Sequence, residues 1–309
     1  MTGHRRALAW GILAAGMWLG AGDLAADEQA FRVLMPHHYR SDALKISAEA
    51  RDGYTNTLDV AHCPTLDDPK LAGSQRNTIE LMFVCHSVRA SGAAANLKIV
   101  PFPNPRRALT ILLDADADAF GSSLFSTDVS GFEGRLLISD YVLSDTQFPL
   151  GLFTAPNRAD VLASKTADDL LKLRGITVKH WSMDRLTMGN LPLAQVLTVG
   201  DPERIGKMIE RGRADITFSF LNRATIEHMG IPLKRIDGFK VYLKGFRVLI
   251  FGRHRQNAFD ALQAFIRESR AADDDPIVEA YYHSGFLAHD YDDWPALKVD
   301  LPKTPPARP

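Results

Sequence analysis

The residues best equipped for chemistry stand in two short runs. The first is PHHYR, where His37, His38, Tyr39 and Arg40 follow directly on the apolar stretch FRVLMP. Imidazoles and a phenol can hold a metal or an anion, or move protons, and the C-terminal end of a strand is where open α/β sheets gather ligand contacts. Adjacent residues on an extended chain point to opposite faces, so two neighbouring histidines make a poor bidentate metal site. The second run is LLDADADAF, with Asp114, Asp116 and Asp118 in alternation. It lacks the glycine and downstream glutamate of a calcium loop and reads as a solvated turn. No metal and no cofactor are expected. His180, with His37 and His38, completes the acid-base candidates, but no GxSxG, HExxH, SxxK or Walker pattern supports nucleophilic, metal or phosphoryl chemistry. Cys63 and Cys85 have neither CxxC nor metal-ligand spacing. An even count suits a disulfide in an oxidising compartment; Cys85, inside IELMFVCHSV, would equally serve as a small buried thiol. Both readings stand.

These residues need elements to hold them. FRVLMP reads as a strand, TIELMFVCHSVRAS as a helix with Ile79, Met82, Phe83 and Val88 near helical spacing, and NLKIVPF as a strand. NPRRALTILLDADADAF gives a turn, a helix and another strand. After a less regular middle the rhythm resumes: FPLGLFTA as strand, SKTADDLLKLRG as a helix capped by Ser164 or Thr166 and ended by Gly175, ITVKHW as strand, SMDRLTMGN as helix, AQVLTV as strand. In DPERIGKMIERG, Asp201 can cap, Pro202 suits a first turn, Ile205, Met208 and Ile209 form the buried stripe, and Gly212 stops the helix. RGRADITFSF then runs from that helix end, where Arg211 and Arg213 suit the negative dipole end, through Asp215 into a strand. Such alternation places helices over a mostly parallel sheet. Helix, turn, Ala-Asp and strand occur twice, at Ala117-Asp118 and at Ala214-Asp215, which implies two similar α/β lobes.

The chain opens MTGHRR-ALAWGILAAGMWLGAG-DLAADE, a charged segment, an apolar run and small residues. This reads as a signal peptide over residues 1–26, cleaved between Ala21 and Ala26; the apolar run is shorter than the roughly twenty residues a membrane span needs. With 46% hydrophobic and 24% charged residues and a net charge of -1, the remainder suits one large or two medium globular domains. No basic block or aromatic-basic interleaving marks a nucleic-acid face.

The two Ala-Asp turns, with FRVLMP, LLISDYVLSDTQFPLGLFT, DDLLKLRGITVKHW and DPIVEAYYHSGF in that order, resemble type II periplasmic solute-binding proteins, especially the polar amino-acid-binding family (family 3) of ABC transporters. The resemblance covers most of residues 31 to 290. It implies two α/β lobes joined by a hinge of crossing strands, with residues 27–150 as the first part of lobe 1, 151–251 as lobe 2, and 252–309 as the rest of lobe 1 and a tail. It further implies a ligand-carboxylate grip at Arg135, for which a bidentate guanidinium is the right chemistry; a surface role for Arg135 is the alternative. From the second lobe, Trp181, Ser182 and Met183 would face the cleft at a helix start, with Ser182 as cap or as anion contact. Where amino-acid binders place an Asp for the ligand ammonium, this chain has Thr217, Phe218, Ser219 and Phe220. An organic acid, an aromatic acid or a redox metabolite therefore suits Phe218 and Phe220 at least as well as an amino acid does.

The function implied is a periplasmic protein that closes on a small anionic or aromatic solute, contacted also from His37 and Tyr39, for an ABC permease or a membrane sensor. It would act as a monomer, with no nucleic acid and no catalysis. The alternatives are an exported dehydratase-like enzyme on the same fold and an interaction module that has lost its ligand.

Overall fold

The computed structural model describes residues 30–36, 56–102 and 105–299. The signal-peptide reading of residues 1–26 and the contacts expected of His37 and Tyr39 lie outside the described residues.

Among the described residues, one sheet has seven strands. In chain order these are β1 (Phe31–Pro36), β2 (Thr57–Asp59), β3 (Asn96–Phe102), β4 (Ala119–Phe120), β5 (Leu124–Phe125), β6 (Leu136–Leu143) and, much later, a strand at Arg247–Gly252. The remaining strands are β7 (Pro149–Thr154), β8 (Arg174–Val178), β9 (Gln195–Val199), β10 (Thr217–Phe220), β11 (Thr225–His228), β12 (Ile231–Arg235) and β13 (Val241–Tyr242), which makes Arg247–Gly252 β14. The order across the large sheet is β2-β3-β1-β4-β14-β5, with β6 also on β14. β1 is parallel to β3 and β4, while β14 runs antiparallel to β4, β5 and β6. The sheet is thus mixed rather than mostly parallel, because the chain leaves for the other lobe after β6 and comes back along β14.

Both faces of this sheet are covered, and the strands show it. Along β1, Phe31, Val33 and Met35 enter one apolar cluster and Leu34 enters another on the opposite face, the two-residue period of a pleated strand. The first face is covered by α1 (Arg76–Ser91) and the second by α2 (Pro105–Leu113). α1 is buried on nearly every side, as an apolar helix enclosed by neighbours must be. It is also tethered: Cys63 and Cys85 form a disulfide with Cα atoms 6.1 Å apart, and His86 Nε2 lies 2.8 Å from the Pro64 carbonyl.

After the short α3 (Ser126–Val129) and β6, the chain crosses to a second body. There β7 pairs antiparallel with β10, β12 and β13, and β8 pairs parallel with β9. Its helices are α4 (Ala159–Leu162), α5 (Ser182–Gly189) and α6 (Arg204–Glu210). Phe153, Ile176, Val178, Ile205, Ile209 and Leu233 form its own core. The helix expected to end at Gly175 is instead a 3-10 turn, Ala167–Lys172, opened by a capping box between Thr166 and Asp169. Gly175 lies within β8, where a β-carbon would come 2.6 Å from Met188 Sδ; the glycine serves close packing rather than a helix stop.

The return strand β14 leads to α7 (Gln256–Ala271) and α8 (Pro276–His283), which pack with α1. The segment after α8 does not stay on the first lobe. Lys240 N donates to Pro295 O at 3.1 Å and Leu297 N donates to Lys240 O at 2.7 Å, so this segment also runs beside the start of β13. Among the described residues, no helix is long and apolar enough to cross a membrane.

The paired Ala-Asp turns do one job twice. Asp118 is fully buried and its carboxylate accepts from Arg32 N, the second residue of β1, and from Arg255 Nε, with His254 Nε2 2.8 Å away. Asp215 accepts from Arg174 N, the first residue of β8, at 2.8 Å, from Arg174 Nε and from Arg158 Nη1. Burial pushes the Asp215 carboxyl up, but the donors of Arg174 and Arg158 more than offset this and leave it below the usual range. Asp118 is therefore no solvated turn residue: each lobe uses a buried aspartate to fix the start of a parallel strand, β1 in the first and β8 in the second.

Candidate functional site

β4 ends at Phe120 and β14 begins at Arg247, so one end of the large sheet carries the loop Gly121–Ser123, β5, α3 and the first residues of β14. β8 ends at Val178 and its chain continues into Trp181 and α5. These two ends meet.

On the first lobe the floor is a buried polar cluster. Glu80, on α1, has no exposure. Its carboxylate accepts from Arg76 Nη1 at 2.6 and 2.5 Å, from Ser123 N at 2.7 Å, from Ser123 Oγ at 2.5 Å and from Tyr281 OH at 3.2 Å. Arg247 is buried beside it, donating from Nε to Ser123 Oγ at 2.9 Å and from Nη2 to the Ser123 carbonyl. Its guanidinium carbon lies 4.3 Å from the centre of the Phe125 ring and 5.4 Å from that of Phe148. Burial and the neighbouring Arg76 charge pull Arg247 down to about 9. Burial, then the Glu80 charge, raises Tyr281 well above the usual phenol range.

The other lobe supplies Ser182, Met183 and Asp184 from the first turn of α5. Ser182 Oγ donates to Asp128 Oδ1 of α3. Met183 is 2% exposed, and a β-carbon on Gly245 would come 2.8 Å from Met183 Cε and 2.8 Å from Phe125 Cδ1. The methionine tip thus lies against the chain just before β14 and beside the ring that carries Arg247. Burial pushes the Asp184 carboxyl up to about 6, against the pull of the Arg247 charge.

The residues singled out from sequence do not all converge. Trp181, Ser182 and Met183 stand at the lobe junction, with Trp181 37% exposed. Ser182 is no cap: Trp181 holds the N-cap position, no side chain caps the helix, and the Ser182 hydroxyl is used on Asp128. Arg135 is remote from this junction. It is exposed and precedes β6, whose first residue, Leu136, pairs with Gly252 at the far end of β14, whereas the last, Leu143, pairs with Arg247. Its guanidinium lies over the Phe132 ring at 5.8 Å. Phe218 is a core residue, and Phe220 packs edge-on against Phe286 at 5.5 Å. His180 is exposed. Among the described residues, no cluster of three or more His, Cys, Asp or Glu could hold a metal ion.

Sequence reasoning missed Glu80, Ser123, Asp128, Asp184 and Arg247. Two left a signal: Glu80 inside IELMFVCHSV and Arg247 opening RVLIFG are single charges in apolar runs, and a charge buried there requires a partner. A hollow of about 840 Å³ elsewhere is lined by Arg158, Asp160, Lys172, Arg174 and Asp215. It lies at the start of β8, opposite α5, and belongs to the Ala-Asp turn.

Comparison with protein-family models and with curated proteins finds no match. Among solved structures the chain is similar to a doubly mutated form of the VFT2 domain of BvgS from Bordetella pertussis, with a TM-score of 0.50 and 14% identity over 85% of this chain and 96% of that one. It is also similar to an amino-acid ABC transporter substrate-binding protein from Streptococcus pneumoniae bound to L-arginine, with a TM-score of 0.49 and 12% identity over 85% and 96% of the two chains. A third is the ancestral amino-acid-binding protein AncCDT-1, a precursor of cyclohexadienyl dehydratase, with a TM-score of 0.45 and 10% identity over 85% and 97%. With one α/β body on a mixed sheet, a second reached by crossing strands, and this likeness to a BvgS domain, the chain has the two-lobed fold of type II periplasmic binding proteins.

Proposed function

We propose that the protein is a periplasmic solute-binding protein, exported by residues 1–26, whose cleft takes a small, flat, anionic solute. The observation that supports the solute class is the buried Arg247, packed against the Phe125 and Phe148 rings at the junction of the lobes. Arg76 donates to the Glu80 carboxylate, and Arg247 lies in the field of the same charge. A flat carboxylate beside these rings would complement the Arg247 charge. Binding would bias the lobe-lobe equilibrium through contacts that differ between its states, for an ABC permease or a membrane sensor. Arg247 takes the role expected of Arg135. A thermal-shift screen of aromatic and aliphatic carboxylates against amino acids and amines tests this. A solute at a hundred times its Kd adds about 2.7 kcal/mol, and a response only to amines would reject the anionic reading.

Asp184 favours a second reading, an exported enzyme. A carboxyl held near 6 at the lobe junction is suited to proton transfer near neutral pH. Mass spectrometry of each carboxylate after incubation decides it: an unchanged mass with the protein and with Asp184→Asn leaves binding alone.

A further inference from the structure

We propose that the chain fills its own cleft: Met183 stands where a solute would be held, and the lobes are kept shut by side chains and a C-terminal strap, so that the resting protein is closed. Closure rests on contacts alone; only the corollary, that a solute acts by displacing Met183, rests on the solute-binding reading above.

Three sets of contacts across the lobes carry this. The first is the wedge. Met183, on the second lobe, is buried against Gly245 and Phe125, which leaves its thioether beside the wall that holds Arg247. Met is unbranched and polarisable and fills irregular gaps well. A larger residue at Gly245 would collide with it, so the glycine provides the seat. The second is the latch, in which Ser182 Oγ donates to Asp128 of the first lobe. The third is the strap after α8. Asn222, following β10, donates through Nδ2 to the Gly285 carbonyl, and Phe220 meets Phe286. Lys240 Nζ donates to the Tyr291 and Asp292 carbonyls at 2.7 and 2.9 Å. The Arg235 guanidinium, 7% exposed as a residue, lies 4.6 Å from the Tyr291 ring centre and 4.8 Å from that of Trp294.

Hinge bending needs the lobes to part on one side while a few residues turn on the other. Here the wedge and latch join the lobes through α5, the wedge against the returning crossing segment, and the strap adds a connection beyond the two crossing strands. A solute that closes an open cleft gains from contacts made only when shut. In this chain those contacts are already made by α5, so the ordinary gain is spent and a solute has to exchange with Met183.

The test needs no solute. Spin labels on cysteines introduced by Glu133→Cys and Arg211→Cys, both exposed, report the separation of the far ends of the two lobes by pulsed electron resonance, with the native disulfide kept oxidised. The full chain is unfolded in denaturant, washed free of bound molecules and refolded before measurement. The expected result is one short, narrow distance distribution, which lengthens and broadens in Ser182→Ala/Met183→Ala and is restored by Met183→Leu with Ser182 intact. A long or broad distribution in the washed parent protein would overturn the proposal whatever the variants do. So would a folded double variant that keeps the parent distance. Should the double variant fail to fold, Gly245→Ala, which presses on Met183 directly, is read the same way. A failed solute screen leaves this result standing, and an open resting state leaves solute binding standing.

Discussion

Glu80→Gln is the most informative single change, because it keeps the side chain's shape and removes only its charge. The carboxylate is fully buried and accepts from Arg76, Ser123 and Tyr281, while Arg247 is buried beside the same serine. Without it, Arg76 and Arg247 lose the nearest buried anion, and Arg247 keeps only the weaker pull of the Asp128 and Asp184 carboxyls. Breaking a buried pair by removing one partner costs about 3–5 kcal/mol, a large share of the roughly 5–15 kcal/mol that holds a folded protein. At roughly 2 °C per kcal/mol for a chain of this size, the melting temperature should fall by roughly 6–10 °C. Urea denaturation at neutral pH measures the loss directly. The double variant Glu80→Gln/Arg247→Met should recover part of it, since it also removes the buried cation that Glu80 offset, giving a coupling energy that additive sites would not show. A single-variant loss below about 1 kcal/mol, or strict additivity, would show that the cluster is wet and that Arg247 has been given the wrong surroundings.

Asp184 sets a pH dependence. Its carboxyl is raised to about 6 in the folded protein by burial, against the pull of Arg247 and with the help of the Asp128 charge. The group is protonated in both states below about 4 and ionised in both above about 6, so stability falls as pH rises between those values, by up to about 3 kcal/mol. Asp184→Asn should flatten that part of the curve, and an unchanged profile would place the carboxyl in water. Reducing Cys63–Cys85, which spans 22 residues, should lower stability by about 3 kcal/mol; melting with and without a reductant measures it. Arg135→Ala removes only an exposed contact with Phe132, worth about 0.5–1 kcal/mol. It should leave solute affinity and interlobe distance alone, as calorimetry and the spin-label pair can show.

The sequence by itself determined where elements run, because periodicity and punctuation are local. FRVLMP, NLKIVPF and AQVLTV are strands and the IERG turn closes α6, with Gly212 at a φ of 64°, since only glycine takes that conformation cheaply. It also displayed the doubled Ala-Asp turn, and with it two lobes. It assigned Arg211 and Arg213 to a helix end, but the partners of Asp215 are Arg158 and Arg174, 57 and 41 residues away, and no local pattern carries that distance. The same limit governs the site. Ser182 has every mark of a cap in sequence, yet an acceptor 54 residues earlier claims its hydroxyl. Glu80 joins Ser123 and Tyr281 across 43 and 201 residues, and Arg247 reaches Ser123 across 124. An apolar run tells that a charge within it is buried, because burial is written in the neighbours. Which opposite charge meets it was decided only when the return of β14 to the first sheet brought the start of that strand beside α1, since Coulomb energy depends on separation in space and not along the chain.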